Sequence, residues 1–114
     1  MNASEFVEIA RRHACNAAVD DTVSVLRHPP GRRPPLDLVR EASWFDALDD
    51  NGKVMAENII RRSAENAIFG LFCILDGVRV VEDTEDKGDF ELRFIKNGVS
   101  EVISPSDDFL HDLF

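Results

Sequence analysis

From Ile68 to Leu75 every residue but Gly70 is apolar, and Asp76-Gly77 ends the run. An apolar stretch of this kind has to be covered on more than one side. The uninterrupted stretch Ala67 to Leu75 is far below the roughly 20 residues that a membrane span needs, so the run belongs in a protein core. Upstream, Met55 or Ala56, Ile60, Ala64, Ala67 or Ile68, Leu71 and Leu75 recur at helical spacing, while Arg61, Arg62 and Glu65 fall on the other side. The pattern predicts one long central helix from near Asp50 or Asn51 to about Leu75, closed by Gly77 in a left-handed conformation. Asp-Gly between apolar runs is also a hairpin signal, with Leu71 to Leu75 as a strand. The unbroken stripe leading into the run favours the helix.

The segments before it also read as helices. Asn2 with Glu5 makes a capping box for a helix from Ala3 to about Ala18, and Asp20 or Asp21 can cap a short second turn through Val23 and Leu26. Pro29-Pro30 must end that turn, because proline lacks the amide donor and restricts the residue before it. His28 to Pro35 then forms a stiff connector with Gly31, Arg32 and Arg33 at its tip. Leu36, Leu38, Val39, Ala42, Trp44, Phe45 and Leu48 give a third helix from Asp37 to about Leu48.

Beyond Gly77 the periodicity changes. Val78, Val80 and Val81 read as a strand, and Phe90 to Ile95 alternates apolar and charged residues, with Phe90, Leu92 and Phe94 inward. Asn97-Gly98 fits a type I′ turn that pairs this strand with Val99 to Ile103. Ser106 is placed to cap a short terminal helix carrying Phe109, Leu110, Leu113 and Phe114. The expectation is an α+β fold: three to four N-terminal helices including the long one, a small antiparallel three-stranded meander and a short C-terminal helix.

With 114 residues, one domain spanning 1–114 is the default. Two cysteines far apart, Cys15 and Cys73, are too few for a disulfide scaffold and read as reduced core thiols. Glu5 and Glu8 sit where a secretory signal needs a basic start, so a cytoplasmic location is expected. Residues 1–62 hold 9 basic and 10 acidic side chains, residues 63–114 hold 4 and 12, giving net charges of −1 and −8. That balance speaks against nucleic acid as a partner, since phosphate binding draws on clustered Lys and Arg. A basic protein partner suits it better.

Motifs for chemistry fail on spacing. Ala47 to Asn58 places Gly52 as in a calcium loop, but Ala47 and Asn58 stand where two carboxylates are required, so a helix cap and turn is the better reading. His13 and Cys15, two apart on a helix, point to nearly opposite faces. The single Gly88 makes no phosphate cradle. No catalytic residue, metal or cofactor is assigned. The candidate interaction residues are Arg32 and Arg33, the acidic run with Asp83, Glu85 and Asp86, His111, and Trp44. Tryptophan marks binding hot spots, yet a lone one more often packs inside, and the core is the preferred place for Trp44.

The ordered segments Pro29-Pro30-Gly31-Arg32, Trp44-Phe45-x-x-Leu48, Ala67-x-Phe69-Gly70, Leu75 to Arg79, Phe90-Glu91-Leu92 and Leu110 to Phe114 resemble a small family of uncharacterised bacterial proteins over residues 28–114. The resemblance implies no activity. Three functional readings follow. The leading one is a small acidic protein-binding module, of the type of toxin-neutralising immunity proteins, docking a basic partner near Asp83 to Glu91. A second is a small-molecule-binding protein or enzyme with Arg32 and Arg33 on an anionic ligand and His111 as acid or base. A third is a structural homodimer joined through apolar residues of the long helix and the tail.

Overall fold

The computed structural model describes residues Met1 to Phe114. Helices α1 (Ala3–Ala10), α2 (Ala17–Arg27), α3 (Leu36–Asp46) and α4 (Asp50–Leu75) precede strands β1 (Leu92–Lys96) and β2 (Val99–Ser104) and the short helix α5 (Leu110–Leu113). The architecture is α+β with a long helix, as the sequence indicates. The sheet, however, has two strands rather than three. Val78, Val80 and Val81 are 51, 71 and 53% exposed, so no alternate residue finds a covered face. Without burial on one side a valine-rich segment has little reason to join a ladder, and the acids that follow it hold the chain in water.

The chain forms two compact units, Met1–Ala14 with Asn66–Phe114, and Cys15–Glu65. Charge divides unequally between them. The first has 6 basic and 13 acidic residues, net −7; the second has 7 and 9, net −2.

Helix α1 begins as a capping box: the Asn2 side chain accepts from the Glu5 N–H at 2.8 Å and the Glu5 carboxylate from the Asn2 N–H at 2.9 Å. No new helix starts at Asp20 or Asp21; α2 follows α1 through a π-helical turn, Arg11–Asn16. The buried positions explain that turn. Ala3 and Val7 do not continue to Cys15, Val19 and Leu26 at α-helical spacing, and the wider i→i+5 turn resets the phase between the two stripes. Both cysteines are free and buried.

In the Cys15–Glu65 unit, Leu26, Phe45 and Ala56 form the core, with Leu48 and Ile60 against it. Trp44 does not join them and is 57% exposed. Adjacent residues on a helix point about 100° apart, so only one of Trp44 and Phe45 can face Leu26 and Ala56, and Phe45 does. Arg27 lies 5.4 Å from the Phe45 ring centroid and pairs with Glu57 at 2.7 Å. The Asp49 carboxylate accepts from the Gly52 N–H at 2.6 Å and so caps α4.

In the other unit, Ala3, Val7, Phe72, Ile103 and Leu110 are the core. The inward stripe of α4 there is Ile68, Phe72 and Leu75; Leu71, expected inward, is 49% exposed. Phe72 meets Phe6 at 6.0 Å and Phe114 edge-on at 5.5 Å, geometries that aromatic rings favour. The guanidinium of Arg11 stacks on Phe114 at 4.5 Å.

Helix α4 ends as predicted. Gly77 has φ +73°, its N–H donates to the Ile74 carbonyl at 3.1 Å, and Val78 N–H donates to the Cys73 carbonyl at 3.1 Å, a Schellman cap. The hairpin is also as predicted: Asn97 and Gly98 have φ of 52° and 75°, and Phe94, Ile95 and Lys96 stand opposite Glu101, Ser100 and Val99. Leu92 and Phe94 turn inward, but Phe90 lies before the strand and is 48% exposed.

Candidate protein-interaction site

Residues 78–91 run between α4 and β1, exposed throughout. Their start is held by Arg79, which lies across Gly70 of α4. A Cβ at Gly70 would come within 2.9 Å of the Arg79 Nη1, so glycine is what lets the guanidinium approach the helix. Further on, the Gly88 N–H donates to Glu82 Oε2 at 2.8 Å and the Thr84 hydroxyl donates to the Asp86 carbonyl at 3.0 Å. These bonds close residues 82–88 into a loop.

The loop concentrates negative charge. Glu82, Asp83, Glu85, Asp86, Asp89 and Glu91 surround Lys87 alone, a net of −5 over ten residues. Glu91 is paired with Arg93, and Glu82 is occupied by Gly88. Asp83, Glu85, Asp86 and Asp89 have no ion-pair partner in the chain, so their field reaches outward unneutralised.

Beside these acids, Ile74, Arg79, Val80, Val81, Lys87 and Phe90 contribute to a cleft of about 220 Å³, on which Glu82 and Asp89 also border. Two cations, Arg79 and Lys87, line it together with the two carboxylates, so the cleft itself is of mixed charge and the outward negative field belongs to the loop acids. No protein-family model matches this chain, and no curated protein or solved structure matches it either.

The other candidate residues are spread over both units. Arg32 and Arg33 are exposed on the connector between α2 and α3, and neither forms an ion pair. They and Trp44 belong to the Cys15–Glu65 unit, whereas His111 belongs to the unit that carries the acidic loop. The His111 side chain is only 17% exposed and is bound rather than free. Its Nδ1 lies 2.7 Å from Asp76 Oδ2; because a carboxylate only accepts, Nδ1 carries the proton. The ring stacks on Phe109 at 5.3 Å and meets Phe69 edge-on at 5.7 Å.

Asp76 is the residue that sequence reasoning undervalued. Besides His111 Nδ1, its carboxylate accepts the Leu110 N–H at 3.0 Å and the His111 N–H at 2.9 Å. It thereby caps α5 from the far end of α4, a task expected of Ser106, whose hydroxyl instead donates to the Asp108 carbonyl. The signal was the empty cap itself: Phe109, at the N-cap of α5, has no side-chain acceptor to offer. Asp76 and His111 thus hold α5 against α4. No helix is long and apolar enough to cross a membrane.

Proposed function

We propose that the protein is a protein-binding module that docks a basic partner on the segment Val78 to Glu91. One observation carries the reading: four exposed carboxylates, Asp83, Glu85, Asp86 and Asp89, without cations of their own, stand next to exposed Val80, Val81 and Phe90. Charge of one sign steers a partner of the other, and apolar side chains beside it supply the surface that affinity needs. A role of the toxin-neutralising kind is consistent with this chemistry, since covering the basic surface of another protein needs no reaction in the binder.

The test is capture from the source cell with two baits, the native chain and one with Asp83→Lys, Glu85→Lys and Asp86→Lys. The proposal expects a basic protein retained by the native bait, lost from the variant and released by salt. Identical captures from both baits would overturn it.

A further inference from the structure

Asparagine followed by glycine is the dipeptide most open to loss of its side-chain amide, because a residue without Cβ leaves its backbone nitrogen unhindered and free to turn toward the preceding side chain. Of the six asparagines only Asn51 and Asn97 precede glycine, and Asp76-Gly77 is the corresponding aspartate pair. The fold treats the three differently. In the first turn of α4 the Gly52 N–H donates to Asp49 Oδ1 at 2.6 Å, and the Asn51 amide donates along the helix to Met55 Sδ at 3.8 Å. The Asp76 carboxylate is buried and accepts three hydrogen bonds, and the Gly77 N–H is given to the Ile74 carbonyl at 3.1 Å. Asn97 and Gly98, by contrast, form the exposed tip of the hairpin, and nothing lies within 4 Å of the place of a Gly98 Cβ. The Gly98 N–H has no acceptor in the chain, and the Asn97 amide has no partner there.

We infer that Asn97 is a modification site: its amide is lost to the backbone nitrogen of Gly98, and the hairpin tip of the native chain converts to a mixture of aspartate and isoaspartate. The Gly98 nitrogen attacks Asn97 Cγ and forms an N–C bond. The bond from Cγ to the amide nitrogen breaks, and ammonia leaves with the proton that the Gly98 N–H gives up. Water then adds to one of the two carbonyls of the cyclic imide. Breaking the new bond restores the ordinary chain with a carboxylate side chain, whereas breaking the original peptide bond reroutes the chain through Cβ and Cγ of residue 97.

Either product adds one negative charge to a chain of net −9. The rerouted product also lengthens the backbone by a methylene. In a two-residue turn both residues must hold positive φ so that Lys96 and Val99 can pair. A longer backbone there loses that closure and loosens the strands that carry Leu92, Phe94 and Ile103 to the core. Protection at Asn51 comes from hydrogen bonding and not from local sequence, so unfolding removes it.

Peptide mapping by mass spectrometry of the full chain, aged in mildly alkaline buffer, reads the conversion, and an isoaspartyl-specific methyltransferase with a labelled methyl donor marks the rerouted product. Asn97 is expected to convert at least about tenfold faster than Asn51 in the folded chain, since Asn51 reacts only when α4 opens locally. In urea the two sites share one chemistry and should convert alike. Asn97→Gly keeps the positive φ of the turn, removes the amide and should abolish most of the methyl label. Equal rates at Asn51 and Asn97 in the folded chain, or an Asn97 that converts only in urea, would overturn the assignment. Hydrogen exchange then compares the isoaspartyl form with fresh Asn97→Asp, which has the same charge on an ordinary backbone. Strands β1 and β2 should exchange faster in the isoaspartyl form, and equal exchange would overturn the loosening of the hairpin.

Discussion

Asp76 serves three donors with one carboxylate, and its side chain is only 2% exposed. Asp76→Ala leaves two backbone N–H groups and an imidazole N–H without their acceptor in a part-buried place. The expected loss is about 2–3 kcal/mol in urea unfolding, at the upper end for stranded donors. A loss below about 0.5 kcal/mol, the range of an ordinary surface change, would show that Asp76 does not hold α5. Trp44 and Phe45 make the same point about neighbours. Phe45→Ala should cost about 3–5 kcal/mol through lost transfer and a cavity, whereas Trp44→Ala should stay within about 0.5 kcal/mol for the monomer. Their order was not legible in the sequence, since both carry aromatic rings one position apart, and only the place of Leu26 and Ala56 decides which turns inward. His111 was equally opaque, because its partner lies 35 residues away.

At the scale of elements, legibility followed the caps and turns. The 26 residues of α4 were readable at both ends because Asp49 offers a capping carboxylate and Gly77 the left-handed exit. The hairpin was readable because Asn97 and Gly98 both accept positive φ. The third strand was misread, since the valines at 78, 80 and 81 satisfy strand preference but cannot reveal that nothing covers them. The junction of α1 and α2 was missed because a π turn leaves no residue signature, only a break in phase. Gly70, inside α4, and Gly77, just past its end, should respond differently to alanine. Gly77→Ala forces a Cβ into the left-handed region and should destabilise by about 1–2 kcal/mol. Gly70→Ala meets only the end of a flexible arginine and removes a helix-interior glycine, itself unfavourable by about 0.5–1 kcal/mol. It should be neutral or stabilising in thermal unfolding, and a loss above 1 kcal/mol would show that Arg79 cannot move aside.

For the molecule as a whole, charge and structure divide together. The unit that carries the sheet, the acidic loop and the Asp76–His111 clasp holds −7 of the net −9. Its core residues are spent on packing, while the loop acids lie exposed on its surface. The acidity of the C-terminal half was plain from composition, but which carboxylates remain unpaired was not, because Glu82 meets the Gly88 N–H only once the loop closes and Glu91 pairs with Arg93 of β1. The central claim is that these free carboxylates recognise a basic protein. Its most direct test is the dissociation constant of the captured partner, measured by titration calorimetry across ionic strength. The account predicts that the native chain loses affinity steeply with salt, while the Asp83→Lys, Glu85→Lys, Asp86→Lys variant binds at least about tenfold more weakly at low salt, as expected for desolvated charge pairs. Equal affinity of the two chains at low salt, or binding indifferent to ionic strength, would contradict it.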